Sequence, residues 1–462
     1  MAKRIFTILT ILFFVLFDFS FNSPLRSSPT VADTEQEPIS IEYLSNDILS
    51  SDNFASFEKT VNHFIQYWRV AGASVAIAQE GKLVYAKGFG YADVENGVEM
   101  QPYNLLRVAS VSKLITAAAV MKLVENGELS LNQKVFGEEG ILDNPMYRNY
   151  IDKRVEDITV KNLLNHSAGW TTRWGDHLFM SQSIARQLNK DLPIDKDDII
   201  EFTLGKRLHF TPGTYSSYVN FGYLVLERVI EKVTKQNYEA FVRQNIFKPI
   251  GVFDAFIAHN YDSLRYPLET RYYEVPEAEM IPAYDGSLTP VLKSRGGNDI
   301  RTLGAAGGWV LSSVSLAKFL IAIDLYSKET VLSKKSIRQL TEKEPGFQPL
   351  GWRSVLQNGS KWRTGSFAGT SALAVSQNNG LTFVFISNTS PWVGARFPHE
   401  VNRMMAKALH RVGTWPEINL FNPLANTDNF VEQYFENQCR EIDNEAFTFS
   451  WALSEPSITN PS

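Results

Sequence analysis

The chain has 462 residues, of which 44% are hydrophobic and 21% are charged, and its formal net charge is −5. These values indicate a globular protein of two or three domains. The sequence has no basic stripe of the kind that would suggest nucleic acid as a partner. A lone cysteine, Cys439, excludes an intrachain disulfide framework and a zinc site built from several thiolates. The seven histidines show neither HxH nor HExxH spacing, so we expect no metal. We expect no other cofactor either.

The N-terminus has the pattern of an export signal. Lys3 and Arg4 precede the apolar run IFTILTILFFVLF, which is shorter than the ~20 residues of a comfortable membrane span. No small-x-small cleavage site and no lipobox cysteine follow it. We therefore predict an exported protein, with residues 1–23 acting as a signal peptide or as an uncleaved anchor that associates with a membrane. A buried helix is the alternative for this segment.

The next segments predict a linker, a helix and a hairpin. Residues 24–53 are polar and contain Pro, Ser and Glu, as in a linker, and the apolar spacing from 54 to 68 is helical. GASVAIAQEGKLVYAKGFGYADV then contains two β-type runs joined at Glu80-Gly81, which predicts an antiparallel hairpin.

The stretch RVASVSKLITAAAVMKL, residues 107–123, predicts a buried helix that contains a lysine. From Leu114 to Met121 it is apolar or small on every side, which is typical of a helix inside a protein. We expect this helix to begin at Ser110 and to end at Asn126-Gly127. Lys113 would then lie in the first turn, where a cation opposes the helix dipole and must find a partner or lose its charge.

Ser110 and Lys113 are three residues apart and would share one face of the helix. A serine at the helix start lies beside free backbone N–H groups, and a desolvated lysine loses its proton near neutral pH and can act as a base. Together they predict a nucleophilic serine with a lysine partner. The same SxxK spacing occurs at Ser56–Lys59 and Ser315–Lys318, but those pairs lie on ordinary-looking helices.

The remaining pattern predicts an α+β fold. The middle is loop-rich with helices such as 222–235, and the later segments predict a helix from Leu316, a hairpin around Asn378-Asn379-Gly380 and a helix near 399–410. Strands at both ends suggest one antiparallel sheet built from N- and C-terminal strands, flanked by helices, with a mainly helical domain inserted. We assign one domain to 54–412, with the sheet part at about 54–105 and 300–412 and the helical part at about 106–299. Residues 413–462 form an extension without a clear signal.

Several segments together resemble one family. RVASVSKLITAAAVMKLVENGELSL resembles the first signature of the serine β-lactamase and penicillin-binding-protein superfamily, in the branch of class C β-lactamases, D-Ala-D-Ala carboxypeptidases, D-aminopeptidases and related esterases. Tyr218-Val219-Asn220 resembles the second signature, and Arg363-Thr364-Gly365-Ser366 the third. ITVKNLLNHSAGW and AAGGWVLSSVSLAKF resemble two further blocks of this family. The resemblance runs from about residue 55 to 410 and implies a β-lactamase/transpeptidase-like fold.

The resemblance also implies roles for individual residues. Ser110 would attack a carbonyl and become acylated, while Lys113 and Tyr218 would handle its proton and Tyr218 would pass it to the leaving group. Asn220 would hydrogen-bond the acyl amide of the substrate. The backbone N–H groups of Ser110 and Ser366 would form the oxyanion hole.

The third signature implies a substrate-binding segment at Arg363, Thr364, Gly365 and Ser366, but its first residue departs from the family. Lysine or histidine is usual there. Arginine keeps its charge and can bind a carboxylate in a bidentate manner, yet it cannot relay a proton. Arg363 is therefore compatible with D-Ala-terminated peptides or β-lactams as substrates, and a surface arginine on a strand edge is the alternative.

We therefore expect an exported serine hydrolase that forms an acyl-enzyme on Ser110 with a small-molecule or peptide substrate. D-amino-acid peptides and small esters are preferred over efficient β-lactam hydrolysis. The alternative is a penicillin-recognising sensor or an inactive scaffold. An α/β-hydrolase would need a GxSxG elbow, and residues 165–169, NHSAG, lack the first glycine.

Other conspicuous side chains have simpler interpretations. We expect His166 to be a structural hydrogen-bonding residue of its loop. The aromatic cluster Trp170, Trp174, His177 and Phe179 either lines a substrate cleft or packs over the helical domain.

Overall fold

The structure, a computed structural model, describes residues 44–49 and 52–421. The predicted signal at 1–23, residues 24–43 and 50–51 of the predicted linker and residues 422–462 of the predicted extension lie outside the described residues. The described residues belong to one compact unit. The division into a sheet part and a helical part stays a prediction.

The described residues form twelve strands and eleven α-helices, with shorter helical turns between them. The strands are β1 (Gly72–Gln79), β2 (Lys82–Asp93), β3 (Val98–Glu99), β4 (Leu106–Arg107), β5 (Phe256–Ile257), β6 (Ile281–Pro282), β7 (Pro290–Val291), β8 (Trp309–Leu311), β9 (Ser354–Val355), β10 (Lys361–Phe367), β11 (Thr370–Ser376) and β12 (Leu381–Ser387). The α-helices are α1 (Ala55–Tyr67), α2 (Ser112–Glu125), α3 (Val160–Leu164), α4 (Ser181–Leu188), α5 (Lys196–Leu204), α6 (Phe221–Thr234), α7 (Tyr238–Val242), α8 (Ile300–Gly307), α9 (Ser313–Ala322), α10 (Lys334–Thr341) and α11 (Phe397–Leu409).

The main sheet is antiparallel and joins strands from both ends of the described chain, so the predicted α+β fold is confirmed. Its order is β3-β2-β1-β12-β11-β10-β9. The β1–β2 turn has positive φ at both Glu80 (50°) and Gly81 (81°), the backbone that a tight hairpin with right-handed strand twist requires. The β11–β12 turn lies beside it, and the backbone N–H of Glu80 donates to the carbonyl of Gly380 at 2.9 Å.

Helices cover both faces of this sheet because its central strands are apolar on both faces. Along β12, Phe383 and Phe385 join the core under α1 and α11, whereas Val384 and Ile386 join the larger core on the other face. Helix α9 packs on that second face, against β1, β11 and β12. The sheet is therefore the middle of three layers.

Apart from β8, which lies in the segment AAGGWVLSSVSLAKF that resembles a glycine-rich strand and the following helix of the family, the short strands in the middle of the chain were not predicted. Strands β4, β8 and β5 form a three-stranded sheet, and β6 pairs with β7. Strands of two or three residues are too short to show an alternating pattern, so periodicity could not reveal them. The β4–β8 pairing matters for the site because β4 ends three residues before Ser110.

The buried helix exists as predicted, but its first turn differs. Residues Ala109–Val111 form a 3₁₀ turn, and α2 begins at Ser112 rather than at Ser110. Ala109 has a positive φ of 47°, which no α-helix accommodates, so the backbone turns sharply just before Ser110. The helix ends at Glu125, followed by Asn126 and by Gly127 at φ 74°, as the sequence predicts.

The predicted extension begins by packing on the sheet. Leu420 is buried, and its N–H donates to the carbonyl of Leu83 at 2.8 Å. Among residues 44–49 and 52–421, no helix is both long and apolar enough to cross a membrane.

Candidate active site

Ser110 lies in the 3₁₀ turn between β4 and α2, and the preceding strand β4 is held by the buried side chain of Arg107. Arg107 is 1% exposed, and its guanidinium donates to the carbonyls of Ser294 (2.8 Å) and His259 (3.0 Å). Its Nε lies 3.6 Å from a carboxylate oxygen of Glu269, and its guanidinium carbon lies 4.0 Å from the centre of the Tyr272 ring. These contacts fix the strand that leads into the serine.

Lys113 lies in the first turn of the buried helix α2, with no solvent exposure, and its ammonium group has three partners. Nζ donates to Ser110 Oγ at 3.2 Å, to Asn220 Oδ1 at 2.6 Å and to the carbonyl of Ala306 at 2.5 Å. Three acceptors match the three N–H donors of an ammonium group. Burial lowers the pKa of Lys113 to about 8, since the nearby Tyr218 oxygen offsets only part of that effect and the charge of Arg363 adds to it.

Tyr218 is the nearest hydrogen-bonding neighbour of the serine, and its hydroxyl oxygen lies 2.7 Å from Ser110 Oγ. Burial by itself would raise the pKa of this phenol. The positive charges of Lys113 and then Arg363, together with the hydrogen bond to Ser110, outweigh burial and lower its pKa to about 8. Ser110, Lys113 and Tyr218 thus form one connected group, as the predicted roles require.

Asn220 ends the segment that carries Tyr218 and immediately precedes α6. Its side-chain oxygen accepts from Lys113, and its side-chain nitrogen donates to Asp176 Oδ2 at 2.8 Å. The backbone N–H of Asn220 lies 3.4 Å from the same carboxylate oxygen. Asp176 therefore fixes which end of the amide faces the lysine, and one N–H of this amide is not free for a substrate.

Arg363 lies on β10 and is 1% exposed, so it is not the surface arginine that was the alternative. Its Nε donates to the backbone carbonyl of Ser110 at 2.9 Å, and its guanidinium carbon lies 5.6 Å from the centre of the Tyr218 ring. Its Nη1 is buried without a hydrogen-bond partner. The guanidinium is thus bound to the nucleophile's own backbone, which limits the bidentate carboxylate contact that the sequence suggested.

The third-signature strand packs directly against the serine turn. A β-carbon on Gly365 would lie 2.2 Å from the carbonyl oxygen of Val108 and 3.1 Å from the backbone nitrogen of Ser110. Only glycine allows this approach. Thr364 and Ser366 flank it and are half-buried. The backbone of β10 is therefore beside Ser110, where the predicted oxyanion hole requires Ser366 to be.

His166 is buried beside the tyrosines of the site. Its ring centre lies 4.6 Å from that of Tyr218 and 5.3 Å from that of Tyr223, and its Nδ1 accepts from the Val219 N–H at 3.4 Å. Burial, followed by the charges of Arg363, Lys113 and Arg353, holds the pKa of His166 well below its usual range. A neutral imidazole that accepts from a backbone N–H fits the structural role expected for it.

The other two pairs with SxxK spacing do not belong to the hydrogen-bonded group around Ser110. Ser56 and Lys59 are both exposed on α1. Ser315 bonds Asp254 at 2.5 Å while Lys318 bonds the Gly251 carbonyl at 3.0 Å.

The four residues of the predicted aromatic cluster differ in their exposure and contacts. Trp170 is buried in the core, Trp174 is 70% exposed, Phe179 is 45% exposed, and His177 bonds Thr203.

Two contributors to the site were not predicted. Asp176 is a single acid in a loop and carries no pattern that would mark it. The Ala306 acceptor is a backbone carbonyl, so it has no side-chain signal. Within residues 44–49 and 52–421, no group of three or more His, Cys, Asp or Glu side chains is arranged to hold a metal ion.

Comparison with known families agrees with this geometry. The family model described as Beta-lactamase matches residues 57–404. The chain belongs to the beta-lactamase family. The matched span contains the serine, the lysine, the tyrosine and the third-signature strand of this beta-lactamase family member.

Individual relatives are distant. Protein flp of Staphylococcus aureus (strain N315) is 30% identical over 202 residues, which make up 44% of this chain and 38% of that protein. The match thus spans well under half the length of that relative. The octameric penicillin-binding protein homologue from Pyrococcus abyssi has a TM-score of 0.58 at 26% identity, covering 77% of this chain and 76% of its own.

A third similar protein is a D-amino acid amidase from Ochrobactrum anthropi SV3, solved with L-phenylalanine amide. Its TM-score is 0.61 at 21% identity, with 78% of this chain and 99% of that chain covered. At this identity the likeness establishes the fold alone.

Proposed function

We propose that this protein is an exported serine hydrolase in which Ser110 forms an acyl-enzyme. The observation that carries the proposal is the contact of Ser110 Oγ with both Tyr218 OH (2.7 Å) and Lys113 Nζ (3.2 Å). A nucleophile within hydrogen-bond reach of a base, whose own position is fixed by a third group, is the arrangement that activates a serine.

The distances favour Tyr218 as the group that receives the serine proton. Lys113 already donates to three acceptors, so as an ammonium it has no lone pair for another proton. Tyr218 is closer to Ser110, and the charge of Lys113 stabilises its phenolate. With a pKa of about 8, about a tenth of the molecules would hold the phenolate at pH 7.

The chemical cycle follows from this assignment. Ser110 Oγ attacks the carbonyl as its proton moves to Tyr218, and the developing oxyanion lies between the serine turn and the edge of β10. Tyr218 then returns the proton to the leaving amine or alcohol. Water repeats these steps on the acyl-enzyme and frees Ser110. A backbone donor in such an oxyanion hole is typically worth about 10²–10³ in rate.

We propose D-amino-acid peptides, small esters or β-lactam-like rings as substrates, and among them we expect those with a carboxylate close to the scissile bond to be preferred. Arg363, Lys113 and Arg353 place three positive charges near Tyr218, with Asp176 as the opposing carboxylate. Arg353 is exposed, and its guanidinium carbon lies 5.7 Å from the centre of the Tyr218 ring. A substrate carboxylate would therefore meet Arg353 first, because Arg363 is buried behind the serine.

The test is acylation of the purified full chain by a fluorescent penicillin, a D-Ala-D-Ala peptide, a p-nitrophenyl ester and a chromogenic cephalosporin, followed by intact-protein mass. We expect a transient acyl adduct with turnover of at least one substrate, and no adduct in Ser110→Ala. Ser56→Ala is the matched control, since Ser56 has the same SxxK spacing but is exposed on α1. A stable adduct without turnover would instead establish a sensor, and no adduct with any substrate would refute acylation.

Export is tested separately. We expect the protein in the exported fraction of its native cells, with residues 1–23 either absent from the mature mass or retained with a membrane-bound protein. Recovery of full-length chain in the cytoplasm would refute this part of the proposal.

A further inference from the structure

Helix α8 is broken next to the catalytic lysine. Gly304 has φ 27° and ψ −111°, values outside the helical region. Beyond this break two successive carbonyls face α2. The carbonyl of Ala305 accepts from Thr116 Oγ1 at 2.7 Å, and that of Ala306 accepts from Lys113 Nζ at 2.5 Å. The position of the break therefore determines where one of the three acceptors of Lys113 lies.

A buried carboxylate from α6 occupies the break. Glu227 is 2% exposed, and its Oε2 accepts from the backbone N–H of Ala305 at 2.9 Å. A β-carbon on Gly304 would lie 2.3 Å from this oxygen, so the carboxylate fills the space that a side chain on Gly304 would need. The other oxygen of Glu227 pairs with Lys196, whose side chain is 21% exposed.

Two residues of helix α6 are therefore linked to Lys113, one by a direct hydrogen bond and one through α8. Asn220, at its beginning, binds the lysine directly. Glu227 is seven residues further on, two turns along the same face. It binds Ala305, the neighbour of the carbonyl that Lys113 uses.

Glu227 does not contact the lysine itself. Lys113 is faced by Tyr218, Arg363 and Asp176, whereas Glu227 pairs with Lys196 and lies near Arg228 and Tyr238. The hydrogen-bonded connection from Glu227 to Lys113 runs through the backbone of α8. A carboxylate buried in a core lowers stability unless partners compensate, and here the Ala305 N–H and Lys196 are those partners.

We propose that Glu227 is a positioning residue for Lys113: it holds the broken turn of α8 so that the Ala306 carbonyl faces the lysine ammonium. This inference rests on the proposed function of Lys113. The proposal requires a side chain as long as that of glutamate, ending in a hydrogen-bond acceptor, at position 227. It does not require a negative charge there.

The test compares three substitutions that separate length from charge. Glu227→Gln keeps an oxygen at the same reach and should acylate at a rate within a few-fold of wild type. Glu227→Asp keeps the charge but is one methylene shorter, and Glu227→Ala has neither. For these two we expect an acylation rate about 10- to 100-fold lower at unchanged KM, because a misplacement of about 1 Å can cost about 100-fold.

A second readout does not depend on activity. In a Ser110→Ala background, the Lys113 side chain titrates by carbon-13 NMR of labelled lysine. We expect Glu227→Asp and Glu227→Ala to lower its pKa, since a misplaced carbonyl stabilises the ammonium form less, and Glu227→Gln to leave the pKa near that of the parent. If wild type forms no acyl-enzyme the proposed function fails, while this titration still tests the inference.

The matched control is Glu231→Ala, one turn further along α6. Glu231 pairs with Arg228 and accepts from the Tyr238 backbone, but it is not bonded to α8. It should lower the melting temperature without changing the acylation rate or the Lys113 titration. The proposal is overturned if Glu227→Asp matches wild type, if Glu227→Gln is as impaired as Glu227→Ala, or if the three variants change only the melting temperature.

Discussion

Replacing Arg363 by methionine would test the electrostatic account of the site most directly. Methionine fills a similar buried volume, while the change removes the positive charge beside Tyr218 and the hydrogen bond to the Ser110 carbonyl. Arg363 lowers the pKa of both Tyr218 and Lys113. Its removal should therefore raise both pKa values and move the onset of activity to higher pH.

The separation of the groups gives the magnitude. The guanidinium carbon of Arg363 lies 5.6 Å from the centre of the Tyr218 ring. Unit charges at such a distance interact by on the order of 3 kcal/mol at an effective dielectric constant of about 20. An interaction of this size changes a pKa by about two. Since Tyr218 is half-buried and partly screened by water, we expect its pKa to rise by about one to two in Arg363→Met.

The assay is the acylation rate of the full chain between pH 6 and pH 10. A phenol whose pKa is higher by one has about tenfold fewer molecules in the phenolate form at pH 7, so Arg363→Met should acylate about 10- to 100-fold more slowly at that pH. The rate should recover as the pH rises, because a group with a raised pKa is deprotonated only at higher pH.

Arg363→Lys is the control, since it keeps the charge and loses the planar donor. Its pH profile should lie near that of wild type. An unchanged profile in Arg363→Met, or an equal displacement of the profile in Arg363→Lys, would refute the reasoning.

Three further substitutions test other parts of the site. Lys113→Met should abolish acylation yet be at least as stable as wild type at pH 7, because the wild-type ammonium is buried at a depressed pKa of about 8. Asp176→Asn should lower the acylation rate about tenfold, since it places an amide donor opposite the Asn220 side-chain nitrogen and frees that amide to turn. Gly365→Ala should lower stability by about 1–3 kcal/mol and slow acylation, since its β-carbon would lie 2.2 Å from the Val108 carbonyl.

Each of these has its own measurement. For Lys113→Met, chemical denaturation should show the stability advantage shrinking from pH 8 to pH 10, as the wild-type lysine releases its proton and the folded state gains relative stability. For Asp176→Asn, unchanged steady-state rates would mean that the carboxylate does not orient Asn220. For Gly365→Ala, the control is Gly413→Ala, where an added β-carbon meets nothing within 4 Å. Equal melting temperatures of these two variants would contradict the close packing.

The sequence predicts the local elements of this fold well. Helix α2 and the β1–β2 and β11–β12 hairpins follow from apolar runs and from glycine-containing turns, signals that lie within a few residues of each other. The start of α2 was wrong by two residues, because the positive φ of Ala109 accompanies packing against β10, which lies far along the chain.

Only those site residues whose side chains belong to recognisable motifs could be predicted from the sequence. Ser110, Lys113 and Tyr218 could be proposed because three separated segments resemble one family in order. Asp176 could not, since it stands 44 residues from Asn220 and lies in no motif. Glu227 did leave a signal, because a carboxylate on the face that continues from Asn220 interrupts an apolar stripe.

The pairing of β1 with β12 has a consequence for how the chain acquires its structure. The backbone N–H of Ala71, just before β1, binds the hydroxyl of Thr389, just after β12, 318 residues further along. During synthesis the β1–β2 hairpin therefore has no partner for the free edge of β1 until β12 has left the ribosome. Such distant pairing slows folding and leaves apolar strands open to association with other chains. We expect refolding from denaturant to be slow and its yield to fall as protein concentration rises.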